Sequence, residues 1–129
     1  AHIGEVRTHE QLSQVTAVFQ SGLKVQAIVI ETPETAAYLV EGGSVSVLFK
    51  ETEVILFLPG HPGISEPNQI PGEVKSLEAG ALLTWVCLET EIGDLGAIIP
   101  SDSVKHLNLL VGSEAVACIK TTEVMLSGR

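Results

Sequence analysis

The sequence repeats itself, and this repeat limits what the chain can fold into more than any other feature. Lys50-Glu51-Thr52-Glu53-Val54-Ile55-Leu56 returns as Lys120-Thr121-Thr122-Glu123-Val124-Met125-Leu126. Gly42 precedes Lys50 as Gly112 precedes Lys120, and Gly4-Glu5-Val6 returns as Gly72-Glu73-Val74. The offset is 68 residues at the first match (72 against 4) and 70 at the last (120 against 50), which implies a two-residue insertion in the second copy. Order and spacing survive throughout, so the chain reads as one small module written twice. The copies are assigned to residues 1–60 and 70–129, with 61–69 as a linker inside a run (58–68) that holds three prolines and two glycines.

Within each copy the local pattern is that of strands. In the first, Ile3–Thr8, Gln14–Gln20 and Leu23–Ile30 carry strand residues, and Ser21-Gly22 supplies a tight turn. Thr32-Pro33-Glu34 then announces a short helix to about Leu39, with a hydroxyl cap, proline in the first turn and an acid behind it. Ser44–Phe49 alternates apolar and polar residues with period two, and Val54–Leu58 is expected to close the module. The second copy repeats this as Gly72–Leu77, Leu82–Thr90, Leu95–Ile99, a helix near Asp102–Leu109, Glu114–Ile119 and Val124–Ser127. Five strands and one short helix per copy predict an all-β chain of two tandem OB-like barrels, a closed form that leaves no sheet edge exposed.

Composition narrows the function. Hydrophobic residues make up 45% of the 129 and charged ones only 18%, an apolar excess that two modules of ~60 residues cannot bury alone. A homodimer or higher homo-oligomer is therefore expected. No apolar run approaches the ~20 residues of a membrane helix, and no signal peptide opens the chain, so a cytoplasmic protein is expected. Seven Lys and Arg against sixteen Asp and Glu give a net charge of −9, which argues against direct nucleic-acid binding, since that needs a basic face. Cys87 and Cys118 lie in apolar strands and read as buried free thiols. The four histidines show no metal-ligand spacing, and no nucleophile elbow, phosphate loop or His–Cys pair appears. The chain is expected not to be an enzyme.

Asn68 four residues before Gly72, a helix before Gly112, and Lys120-Thr121-Thr122-Glu123-Val124 together resemble the Mop, or TOBE, module. Two such modules in one chain are similar to the effector half of molybdate-responsive transcription regulators, and to tandem-module molybdate storage proteins. The resemblance implies that Lys50 and Lys120 match the family's ligand-contacting lysine. Thr121 stands where the family has alanine, and Thr122 where it has serine or proline. Ser65 and Asn68 match the ends of a Ser-Ala-Arg-Asn element in which Pro67 replaces the arginine, and Ser103 matches a hydroxyl opening the short helix.

Molybdate and tungstate are tetrahedral dianions, so a site for either needs donors only: backbone N–H groups, hydroxyls and a lysine. The expected oxyanion ligands are Lys120, Thr121 and Thr122 with Ser101 and Ser103, Lys50 with Thr52, and Ser65 and Asn68; no covalent cofactor and no metal site is expected. A single lysine at a strand end is ordinarily a solvated charge facing a glutamate, and recurrence in both copies is what marks these two. Thr32, Ser101 and Ser103 equally suit plain helix caps. The expected function is the ligand-sensing effector domain of a transcription regulator, reaching DNA only through a winged-helix domain that would precede Ala1. The alternatives are molybdate or tungstate storage, or a structural accessory barrel of a transporter ATPase.

Overall fold

The computed structural model describes residues 1–60 and 63–128. Its strands are β1 His2–His9, β2 Leu12–Val18, β3 Lys24–Val29, β4 Val45–Leu48, β5 Ile55–Phe57, β6 Gln69–Ala79, β7 Leu83–Thr90, β8 Gly93–Pro100, β9 Glu114–Cys118 and β10 Met125–Gly128. One α-helix, α1 at Ser101–His106, and two single 3-10 turns, Glu51–Glu53 and Thr121–Glu123, complete the elements among the described residues. Among the described residues no helix is long and apolar enough to cross a membrane. Two compact units form, Ala1–Phe49 with Lys120–Arg129, and Lys50–Ile119.

In the first unit β1, β2 and β3 make an antiparallel meander, and β10 pairs with β4. The two pieces join where His2 bridges Ser44, Ile3 N–H donates to Gly43 and Gly42 N–H donates to Ile3. Alternation along β2 sends Ser13, Val15 and Ala17 inward, where Val15 and Ala17 pack with Ile3, Ala36, Leu39 and Val45. Leu126 of β10 leans on this core, so the last strand contributes apolar cover as well as ladder bonds.

The second unit is a single sheet in the order β5-β9-β6-β7-β8. Substituting β10 for β5 gives the first unit's order, β10-β4-β1-β2-β3, so the two are the same OB-like barrel built from different chain segments. Val74 plays the part of Ile3: each sits at a bulge, and each exchanges backbone bonds with a glycine loop, here Val74 N–H to Ser113 and Gly112 N–H to Val74. This sets the register of the first strands at 71 residues (74 against 3), and the offset of 68 read from the Gly-Glu-Val match is corrected. The tripeptide recurs in sequence, but the bulge places Lys75, and not Gly72, opposite Gly4.

Two further expectations are corrected. Val54–Leu58 does not close the barrel that precedes it: β5 pairs with β9, Ile55 to Cys118 and Phe57 to Val116, while β10 closes the first barrel. The connections 49–54 and 119–124 contain no positive-φ residue, unlike the tight hairpins at Gly22 and Gly93. Each connection instead makes one 3-10 turn between extended caps, Lys50 (φ −85°, ψ 138°) and Val54 (φ −88°, ψ 127°) in the first case, and carries the chain onward. The copies 1–60 and 70–129 thus describe the repeat in sequence, whereas the compact units exchange their fifth strands. The expected linker begins at His61 and Pro62, which lie outside the described residues.

The helix expected at Thr32–Leu39 is a series of turns. Ala36 N–H reaches Thr32 O, but the next bonds are of shorter span, Leu39 to Ala36 and Val40 to Tyr38. Thr32 and Thr35 bond to each other's backbone and side chain, and the Tyr38 hydroxyl donates to Glu31 at 2.6 Å. These local bonds compete with a helical ladder that Thr, Tyr and Val support poorly. In the second copy Ser101–His106 is helical, shorter than the expected Asp102–Leu109 because Asn108 turns into positive φ (53°).

Candidate functional site

The repeated turns present the candidate ligands in two chemically distinct settings. In the second unit Lys50 is exposed and Thr52 opens onto a cavity of about 230 Å³ whose polar lining also includes Ser103. Its walls are apolar, from Val54, Leu56, Ile98, Ile99 and Leu107. The cavity falls where the 3-10 turn and β5 approach β8 and the start of α1. In the first unit Lys120 and Thr122 are exposed and Thr121 is half-buried, on a turn that packs against β3. A 3-10 turn leaves its first N–H groups without partners inside the turn, so each setting offers backbone donors beside a lysine. Among the described residues neither Lys50 nor Lys120 forms an ion pair. Both lysines are exposed, as a solvated charge would be, but neither faces a glutamate within ion-pair distance.

The remaining candidates are placed differently from the expectation. Ser101 and Ser103 belong to the unit of Lys50, while Lys120, Thr121 and Thr122 belong to the other. The Ser101 hydroxyl is 8% exposed and engaged at 2.8 Å both with Thr84 Oγ1 and with the Gly80 carbonyl. It ties β7 to the start of α1 and caps no helix: Pro100 holds that position without a side-chain bond. Ser13 does the same in the first unit, bonding Glu31 O and Thr8 Oγ1. Asn68 is buried and receives Ile119 N–H on its backbone oxygen, whereas Ser65 is exposed. Between them Glu66 keeps Oε1 out of solvent without a partner among the described residues, and a carboxylate there is the wrong chemistry beside a dianion.

A cavity of about 710 Å³ is lined by Glu10, Glu31 and Glu34 together with Thr32 and Thr35. Its acids repel anions, and its threonines are occupied with each other. No group of three His, Cys, Asp or Glu suited to a metal ion occurs among the described residues. Both cysteines are free and buried, and burial followed by the nearby Glu66 charge pushes the Cys118 thiol up from its ordinary value.

Sequence reasoning missed Trp85, Gly96 and Glu51. The Trp85 indole N–H donates to Glu51 Oε2 at 2.5 Å, across the strand from the turn that carries Lys50 and Thr52. The signal was present: within the repeated heptapeptide, Glu51 in one copy faces Thr121 in the other.

Comparison with known proteins places this geometry. The TOBE domain model matches residues 64–126. Molybdenum-pterin-binding protein 1 of Clostridium pasteurianum is 41% identical over 64 residues, 49% of this chain and 94% of that protein. Molybdenum transport protein ModE of Herbaspirillum seropedicae is 28% identical over 127 residues, 97% of this chain but 47% of the relative. The cytoplasmic molybdate-binding protein ModG, solved with molybdate bound, superposes with a TM-score of 0.92 at 26% identity, over 99% of this chain and 92% of that one. A relative matched along nearly its full length, and a two-module structure matched along nearly the whole of this chain, lead to one conclusion: the chain belongs to the Mop/TOBE family and carries two of its modules.

Proposed function

We propose that this chain binds a small tetrahedral oxyanion, molybdate or tungstate, and acts as a cytoplasmic holding protein for it. The similarity to molybdate-bound ModG, extending over both barrels, is the observation that carries this reading. Lys120 with Thr121 and Thr122, and Lys50 with Thr52 and Ser103, are the proposed ligands. Each set supplies the donors a dianion needs: a point charge, hydroxyls and the unpartnered N–H groups of a short turn. Ser65, Asn68 and Ser101 are proposed as supports of the turns and strands, since Asn68 and Ser101 are buried and Ser65 adjoins the Glu66 carboxylate.

Calorimetry with molybdate, tungstate and sulfate on the wild type, Lys50→Ala and Lys120→Ala tests this. Lys120→Ala is expected to weaken molybdate binding roughly ten- to a hundredfold, the worth of a charge-assisted hydrogen bond. A folded wild type that gives no heat with any of the three anions refutes the proposal. A second reading, the effector part of a larger regulator, is favoured by the ModE match across 97% of this chain. Mass in solution separates the two: a dimer supports the regulator, a trimer or larger assembly the holding role.

A further inference from the structure

The two lysine turns, 50–56 and 120–126, match at every position but two, and one difference bears on anions: Glu51 follows Lys50 where Thr121 follows Lys120. Glu51 is exposed, but its carboxylate is engaged. Its carboxylate accepts the indole N–H of Trp85, the chain's single tryptophan, and lies over Gly96. A Cβ on Gly96 would fall 1.7 Å from Glu51 Oε2 and 2.8 Å from Trp85 Nε1. Glycine at this strand position is what leaves room for the carboxylate. The equivalent strand positions in the other unit are Gln14 (71 residues before Trp85) and Gln26 (70 before Gly96), which bond to each other at 2.9 Å. That unit therefore has no cradle for an acid, and its turn brings a hydroxyl beside the lysine.

The geometry points to Glu51 as a specificity-determining residue that makes the two oxyanion sites unequal. This rests on the oxyanion reading given above. A carboxylate accepts hydrogen bonds and donates none. Held by the indole, it keeps a negative charge one residue from Lys50, in the turn that a dianion would approach. The Lys120 turn, without a carboxylate next to its lysine, is the strong site, and the Lys50 turn is the weak one.

The experiment is a molybdate titration of the full chain followed by calorimetry and by Trp85 fluorescence, on wild type, Glu51→Gln, Glu51→Thr, Thr121→Glu, Lys50→Ala and Lys120→Ala. The wild type is expected to show one strong event that Lys120→Ala removes and one weak event that Lys50→Ala removes. Glu51→Gln and Glu51→Thr are expected to strengthen the weak event by roughly five- to tenfold, the size of one like charge in a solvated setting. This event is the one expected to perturb Trp85 emission. Thr121→Glu is expected to weaken the strong event by a similar factor. If Glu51→Thr strengthens binding but the isosteric Glu51→Gln does not, shape and not charge is responsible, and the inference is overturned. It is also overturned if both Glu51 variants and Thr121→Glu leave two intact events unchanged, an outcome in which the oxyanion reading survives. A silent wild type refutes the oxyanion reading itself.

Discussion

Tyr38 shows how a single side chain couples the turns between β3 and β4 to the core. Its hydroxyl donates to Glu31 while its ring packs on the Ile3, Leu39 and Val45 cluster. Burial first, and then the hydrogen bond and charge of Glu31, push its pKa up from 10.0 to about 12. The protonated form is thus favoured in the folded unit. Below pH 10 both folded and unfolded chains keep the proton, and the stabilisation is fully present. Between pH 10 and about 12 the unfolded chain releases it first, so stability falls as pH rises. Melting temperature measured from pH 9 to 12 should drop across that window, and Tyr38→Phe should flatten the drop. A variant whose profile follows the wild type would show that another group titrates there. Lys75 is likewise held protonated to higher pH by Asp94 at 2.7 Å, but the pair is exposed and screened, and little stability is expected from it.

At the scale of elements, what could be read from the sequence and what could not divide along the reach of each signal. The strands were legible because alternation is local, as Ser13, Val15 and Ala17 show, and the repeat foretold that both halves would share one form. The partner of a strand is not local. Lys50–Leu56 and Lys120–Leu126 are nearly the same heptapeptide, and nothing in their pattern says which barrel each completes. The first-copy helix failed because Thr32, Thr35 and Tyr38 found closer partners, and the site residues were blurred because hydroxyls such as Ser101 serve the fold as readily as a ligand. The exchange has a direct test. A fragment 50–119 holds all five strands of its barrel and should fold as a monomer. A fragment 64–126, the span of the family match, lacks β5 and carries a strand with no barrel of its own. It should stay unfolded when dilute or associate with other copies; size-exclusion chromatography and circular dichroism across concentration distinguish these outcomes. A well-folded monomer of 64–126 would mean that β10 can turn back after all.

For the molecule as a whole, the same connectivity sets an order of assembly. The barrel of residues 50–119 closes within one continuous stretch, whereas the other must bring residues 1–49 together with 120–128 across roughly seventy intervening residues. Loop closure costs entropy that grows with the logarithm of its length, and long-range pairings form late. Pulse-labelling hydrogen exchange during refolding should therefore protect β6, β7 and β9 before β4 and β10; simultaneous protection would contradict this order. On the ribosome the delay becomes physical. Residues 1–49 leave the tunnel before residues 120–128, and β4 stays bare along one side while residues 50–119 are being made. Neighbouring ribosomes on one message hold nascent chains in this same half-finished state, and each emerging β10 fits the vacancy on any of them. Synthesis rate and spacing along the message thus bear on whether the product is a set of separate molecules or a chain of molecules that have lent each other their ends.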